Sequence, residues 1–300
     1  MAKTLDRFDL LRLFLRIAET GSLSGAARAL GLSQPSASRQ LRMLEEDLGA
    51  TLLRRSTHEL ALTEEGERLL PEARALLDGW EGVRERIGGA EGALEGRIRV
   101  LAPAGLGQTL LADAAAGFLA HNPGVRLEWL LDDAPRDLVA EGIDLWLRIG
   151  PVADEGLILR PLATIPRVLV AQPVQGCAAG PEALETRGAV VLSPFASGGI
   201  VLTGPGGERV TVLPRCVVET DNLFAAARFV GAGIGYGLLP LWLVRPDLER
   251  GDLLRLCPGW QAAPIVLSLA YPRLRFRPRR VAALIGALRE AVAAMDLGRA

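Results

Sequence analysis

The sequence predicts an α/β chain with an all-α head at its N-terminus, and three observations carry that prediction. Up to about residue 50, short helical periodicities are punctuated by glycines and small capping hydroxyls. From about 63 to 87 the apolar residues step by four and three along a single long helix. From Arg97 onward, apolar residues alternate along short strands separated by helical stretches, the pattern of a parallel sheet.

In the head, Leu10, Leu11, Phe14, Ile17 and Ala18 give the first helix one apolar face. Gly21 ends it, and Ser22 is placed to cap a second helix whose Ala26, Ala27 and Leu30 face the same core. Gly31 serves as a left-handed stop. Ser33 caps a third helix with Pro35 in its first turn, where a missing N–H costs nothing. Ala37, Leu41, Leu44 and Leu48 form its inward stripe, which leaves Gln34, Ser36, Ser38, Arg39 and Arg42 on the outer side near its start. Those side chains suit base edges and phosphates. Glutamine pairs bidentately with adenine and arginine with guanine, while hydroxyls and helix N–H groups hold phosphate oxygens. Residues 52–62 then read as a β-hairpin wing with Arg54, Arg55 and His58 at or near its turn, where cations suit a phosphate backbone. Glu59 beside His58 dilutes the charge of that tip.

Thr63, Glu64 and Glu65 start the long helix, with acids in the first turn opposing its positive N-terminus. Leu69, Ala73, Leu76, Trp80, Val83 and Ile87 form a coiled-coil seam that calls for a partner helix, and Pro71 falls close to its start. Residues 88–96, GGAEGALEG, read as a flexible joint. Beyond it, Ile98, Val100 and Ala102 alternate along one strand, residues 109–121 are helical, and Val125, Leu127, Trp129 and Leu131 mark a second strand. A short helix at 135–141 and a strand at 144–150 follow. GAGIGYG at 231–237 lacks the last glycine of a dinucleotide-binding fingerprint and follows a helix rather than a strand. It reads as a helix stop and a strand from Ile234 to Leu239, with Tyr236 near a cleft.

Three hundred residues suggest two domains or slightly more, and the formal net charge of -1 does not by itself mark a nucleic-acid binder. Residues 1–62 hold nine Lys or Arg against seven Asp or Glu, so affinity for DNA rests on placement and dimerisation, with a moderate salt slope. Cys177, Cys216 and Cys257 are odd in number and scattered, which suits a reducing compartment and small buried apolar roles. With His58 and His121 they match no zinc spacing, so no metal and no cofactor are expected. The sequence has no GxSxG, HExxH or phosphate-binding loop, so no enzyme is expected. Without a signal peptide or an apolar run long enough to span a bilayer, a cytoplasmic location and no membrane contact are expected.

Phe14, Ala18, Gly21, Ser22, Ala26, Ala27, Leu30, Ser33, Gln34, Pro35, Ser38, Leu44, Glu45, Leu48, Gly49, Leu53, Arg55, Leu62, Thr63 and Gly66 together resemble the N-terminal domain of the LysR-type transcriptional regulators. The later strands and helices are similar to the effector domain of the same family, and YPRLRFRPRRVAALIGAL fits its closing strand and helix. The resemblance implies a winged helix-turn-helix at 1–62, a linker (dimerisation) helix and joint at 63–94, and an effector-binding domain at 95–300. That domain would be two-lobed and periplasmic-binding-protein-like, with lobe I at about 95–168 and 265–300 and lobe II at about 169–264.

The implied function is sequence-specific, effector-modulated regulation of transcription. Ser33, Gln34, Pro35, Ser36, Ser38, Arg39, Arg42, Arg54, Arg55 and His58 would bind DNA. The implied partners are double-stranded DNA carrying an interrupted palindrome, a small-molecule effector, further copies in a homodimer and homotetramer, and RNA polymerase. In two-lobed folds the ligand lies at the carboxyl ends of the strands. That places Ala104, Gly105 and Thr109, Arg148 and Gly150, Ser193 and Phe195, Thr220 and Asn222, and Tyr236 around an effector. A stretch of Ala104, Gly105 and Leu106 where relatives often carry a hydroxyl favours an effector with aromatic or aliphatic bulk. Arg148 suits either an effector carboxylate or a structural ion pair. A solute-binding transport protein would share the C-terminal fold but not the DNA-binding head.

Overall fold

A computed structural model describes residues 6–55, 60–87, 93–150, 156–175, 178, 180–193, 199–273, 277–295 and 297. The head is built by α1 (Arg7–Thr20), α2 (Leu23–Ala29) and α3 (Gln34–Leu48). Each start is capped by a side chain accepting a backbone N–H: Asp6 from Phe8, Ser22 from Gly25 and Ser33 from Ser36. Gly21 and Gly49, with φ of 59° and 66°, close α1 and α3 in the left-handed region. Leu13, Ile17, Ala26, Ala27, Ala37 and Leu41 make the core between them, where the three alanines permit close helix approach. The inward stripe of α3 differs from the one expected. Gln40 is buried, and Leu48 on the last turn is 47% exposed.

Strands β1 (Leu53–Arg55) and β2 (Leu60–Leu62) pair antiparallel as the wing. Glu45 Oε1 accepts the N–H of Leu52 at 2.8 Å and of Leu53 at 3.4 Å, which fastens α3 to the root of that hairpin. Thr63 Oγ1 accepts the Gly66 N–H at 3.0 Å and donates to Thr51 O at 2.6 Å, so one hydroxyl caps α4 (Glu64–Ile87) and holds the chain that enters the wing. A Cβ at Gly66 would stand 2.2 Å from Leu52 O, so no larger residue fits there.

The linker helix α4 divides its apolar residues between two uses. Leu69, Leu70, Ala73 and Leu77 pack against Leu10, Leu11, Phe14, Leu44 and Leu52 of the head. Leu76 and Ile87 remain 55% and 82% exposed. Trp80, 40% exposed, stacks on Phe8 of α1 with ring centroids 5.2 Å apart. The seam expected from spacing alone is therefore shared: Leu69, Ala73 and one face of Trp80 serve this chain's own head, while Leu76 and Ile87 do not.

The effector region begins with β3 (Gly96–Ala102), α5 (Ala104–Gly107), α6 (Leu110–His121), β4 (Val125–Leu131), β5 (Leu145–Ile149) and β6 (Leu157–Ile165). A second unit holds β7 (Arg167–Ala171), β8 (Gly188–Leu192), β9 (Ile200–Thr203), β10 (Arg209–Val212), β11 (Arg215–Thr220), α7 (Leu223–Gly231), β12 (Tyr236–Pro240), α8 (Leu241–Arg250), β13 (Leu254–Arg255) and β14 (Gln261–Ala262). The chain returns through β15 (Ile265–Pro272) and ends on α9 (Arg279–Ala294).

The first sheet has the order β4-β3-β5-β15-β6, with β3, β4 and β5 mutually parallel. The second has the order β11-β8-β12-β7-β13, and β10, β9 and β14 form a small third sheet. Two sheets joined by two crossings, at Pro166 and between β14 and β15, make the two-lobed architecture. The expected helix at 135–141 is absent. Asp137 Oδ1 accepts the N–H of Val139 and Ala140, and this local ring turns the chain instead. The strand expected from Ile234 starts at Tyr236, because Gly233 and Gly235 are needed for a turn: a Cβ at Gly235 would stand 2.5 Å from Gly188 O.

Polar pairs dock the head and linker on lobe I. Arg97 pairs with Glu19 of α1 at 3.3 Å, and Arg280 of α9 pairs with Asp78 of α4 at 2.6 Å. Nearby, burial pushes the Asp144 carboxyl up to about 6; its bond from the Arg99 N–H at 2.7 Å opposes the rise, Asp78 adds to it, and Arg280 and Arg97 oppose it.

Two outcomes follow from this packing. Gly66→Ala should cost about 2 kcal/mol or more of stability by denaturant unfolding, whereas Gly117→Ala, at an open position in α6, should gain about 0.5–1 kcal/mol. The raised Asp144 carboxyl makes the folded chain bind a proton more readily than the unfolded one. Stability should therefore fall as the pH rises from about 4 to about 6 and level off above. Asp144→Asn should remove that slope in unfolding measured across the range, and an unchanged slope would refute the assignment.

Candidate functional site

The capped start of α3 presents Gln34, Pro35, Arg39 and Arg42 as exposed side chains, with Ser36 and Ser38 half-buried beside them. Ser33 Oγ is engaged by the Ser36 N–H at 3.3 Å, so its part is to cap. No acid lies in the first turn of α3, while Glu45, Glu46 and Asp47 sit near its end. Asp47 is further occupied by Arg7 at 3.0 Å. The helix thus offers its positive dipole end and exposed guanidinium groups toward its start, and negative charge at its other end. That polarity fits a polyanion at the N-terminal end. On the wing, Arg54 is exposed and lies opposite Ala61. Arg55 lies opposite Leu60 in the ladder, and His58 lies outside the described residues.

At the facing edges of the two lobes, the sequence-predicted residues form two groups. On lobe I, Ala104 and Gly105 lie in α5, Thr109 Oγ1 donates to Gly105 O at 3.3 Å, and Gly150 takes a φ of 84°. Arg148 Nη1 donates to Asp133 O at 2.5 Å, and its guanidinium lies 5.0 Å from the Trp146 ring centroid. It is thus held by a backbone carbonyl and an aromatic face. The Asp133 carboxyl is pushed up, first by burial; the Ala104 N–H and Arg148 oppose the rise, while Asp132 and Asp221 add to it.

On lobe II, Ser193 Oγ donates to Glu219 at 2.5 Å, Thr220 Oγ1 accepts the Asn222 N–H, and Asn222 caps α7 through Phe224 and Ala225. The groups meet where a Cβ on Gly105 would stand 2.7 Å from Leu223 Cδ2. Phe195 lies outside the described residues. Tyr236 does not reach a cleft: it is fully enclosed in the lobe II core with Leu169, Ala189 and Cys257, and its hydroxyl has no partner among the described residues. Burial pushes that hydroxyl up to about 12.

A cavity of about 390 Å³ opens beside the crossings, between β8, β9 and β12, with apolar walls from Val190, Leu192, Ile200 and Ile265. Arg167 and Arg209 supply its cations. Arg167 donates through Nε and Nη2 to Ala263 O at 3.1 and 2.7 Å, and burial depresses its pKa. None of the described sequence-predicted effector residues lines this cavity. Arg167 was legible only by its place beside the lobe boundary at about 168 that the resemblance implied. Arg209 carried no signal.

Among the described residues, no group of three or more His, Cys, Asp or Glu is placed to hold a metal, and no helix is long and apolar enough to cross a membrane. Cys216 is an exposed thiol and Cys257 a buried one, which corrects the expectation that all cysteines are buried. Cys177 lies outside the described residues.

Residues 8–67 match the family description "Bacterial regulatory helix-turn-helix protein, lysR family", and residues 91–293 match "LysR substrate binding domain". The chain is 36% identical to the HTH-type transcriptional regulator PtxR of Pseudomonas aeruginosa over 97% of its own length and 96% of that protein. It is 27% identical to the HTH-type transcriptional activator AaeR of Escherichia coli over 95% and 93%. Among solved structures, it is similar to the full-length virulence activator AphB of Vibrio cholerae, with a TM-score of 0.60, 27% identity and coverage of 93% and 97%. A full-length OxyR variant of Pseudomonas aeruginosa, at 19% identity, shares the fold with a TM-score of 0.71 over 99% of this chain and 98% of that one.

Proposed function

The chain belongs to the LysR-type transcriptional regulators, DNA-binding proteins with an effector-binding domain, and on that premise we propose which of its residues read DNA and which receive the effector. The N-terminal half of α3 enters the major groove, with Gln34, Arg39 and Arg42 at base edges and Ser36 and Ser38 near phosphates. The wing, through Arg54, Arg55 and His58, holds the backbone. One observation carries this reading: exposed Gln34, Arg39 and Arg42 follow one another along the first nine residues of a capped helix that has no acid in its first turn.

Two such helices are spaced by a linker dimer whose contact face is Leu76, Trp80, Val83 and Ile87, so the operator is an interrupted palindrome. A homotetramer on DNA, contact with RNA polymerase and a cytoplasmic location complete the reading, and the chain performs no catalysis of its own. The effector is an organic anion with apolar bulk, seated in the 390 Å³ cavity where Arg167 and Arg209 face Val190, Ile200 and Ile265. Arg148, already held by Asp133 and Trp146, orders the facing edge of lobe I. Effector binding changes lobe closure and, through the lobe I contacts with α1 and α4, the spacing of the recognition helices.

Gln34→Ala and Arg39→Ala should each weaken binding to the cognate operator by about 1–3 kcal/mol and relax base preference, read by fluorescence anisotropy on operator variants. Arg54→Ala should weaken specific and non-specific binding alike and flatten the salt dependence. Equal behaviour of all three would refute the base-reading role. Leu76→Glu should shift the protein toward monomer in sedimentation velocity and abolish cooperative binding to paired half-sites, with the head's stability unchanged.

A further inference from the structure

A second cavity, of about 340 Å³, lies where the head, the linker helix and lobe I meet. Arginines from all three line it. Arg12 of α1 holds Asp9 at 3.1 Å and Glu81 at 3.3 Å, Arg97 of β3 holds Glu19 and Glu128, and Arg280 of α9 holds Asp78. Arg74 of α4 is the exception. Among the described residues no carboxylate lies within ion-pair distance of it. Its Nη1 donates only to Glu141 O, at 3.5 Å, and its Nε is buried without a partner. Yet the fold makes room for this guanidinium: Gly142 adopts a φ of 61°, and a Cβ there would stand 2.3 Å from Arg74 Nη1. A buried cation is ordinarily paired, because its lost hydration must be replaced. Burial lowers the Arg74 pKa and Arg97 and Arg99 lower it further, while Glu19 and Glu128 oppose the fall without reversing it.

We propose that this junction is a second ligand site, in which a small oxyanion, carried as a carboxylate or a phosphate, pairs with Arg74 and bridges the linker helix to lobe I. The site is separate from the 390 Å³ cavity beside the crossings, with which it shares no lining residue. Arg74's counter-charge would come from solution rather than from the chain, because the carboxylates that form ion pairs at this junction are held by Arg12, Arg97 and Arg280. Leu15, Leu77 and Val139 give the cavity apolar walls, so a compact organic anion fits it as well as an inorganic one. An anion held there ties α4 to the effector domain and tightens the docking of the head, which makes it a co-regulator of operator binding.

The test uses the full-length protein in thermal unfolding, with sodium phosphate and sodium succinate each compared against sodium chloride at equal ionic strength. Wild type and Arg167→Gln should both gain several degrees more in Tm with phosphate or succinate over chloride than Arg74→Gln, which should keep only the gain that salt exclusion gives every variant. The arm that responds distinguishes the two anion sources. Without added anion, Arg74→Gln should be at least as stable as wild type, because it removes a half-buried guanidinium that no carboxylate pairs. Should that variant fail to fold, Val139→Trp, at an exposed position on the cavity wall, should fold and lose the anion response. A response in the variant read as large as that of wild type, or one lost in Arg167→Gln instead, overturns the proposal and assigns the anion elsewhere. So does a wild type that cannot tell phosphate and succinate from chloride.

Discussion

The joint between wing, recognition helix and linker is the constraint on which the rest of the structure depends. Glu45 takes two backbone N–H groups at the hairpin root, Thr63 joins the cap of α4 to Thr51, and Gly66 admits the Leu52 carbonyl where any side chain would collide. Together they fix α3, β1 and α4 as one body. On the proposed reading, α3 is useful only if its angle and its spacing from a twin are set, and both would be inherited from α4 through this joint. The alanines between α1, α2 and α3 then hold the start of α3 outward without bulk beneath it.

The second half of the mechanism depends on how lobe I grips that body. Arg280 with Asp78 and Arg97 with Glu19 are charged contacts in a largely enclosed junction, short in reach and demanding in geometry. Such pairs hold one arrangement well and tolerate intermediate ones badly, which suits a two-state coupling between lobe closure and helix spacing. The lobes themselves meet through polar loop ends, the Gly105–Leu223 approach and Trp242 of α8, which packs against the lobe I core.

Much of this was legible in the sequence, and the exceptions have physical causes. Local signals survived because local chemistry decides them: Ser22 and Ser33 cap, Gly21 and Gly31 turn, and period-two runs become strands at β3 and β4. Spacing failed where tertiary packing chose between equivalent faces. Leu69 and Ala73 share the heptad with Leu76 and Ile87, yet α1 covers the first pair and leaves the second exposed. Propensity placed a helix at 135–141, and the Asp137 side chain captured the backbone first. The cavity arginines were hidden for a different reason. Arg167 and Arg209 are close only because two crossings and a small third sheet fold back on lobe II, and no periodicity encodes that. Tyr236 was misplaced because a glycine-rich turn and a strand start are compatible with either face of the sheet.

The central claim is that paired recognition helices read a symmetric operator, and a hydroxyl-radical footprint on the DNA beside the chain's own gene tests it most directly. The account predicts two protected half-sites related by a dyad, with a less protected interval between them, persisting in excess unrelated DNA. Diffuse protection that competitor DNA removes at every salt concentration would contradict it.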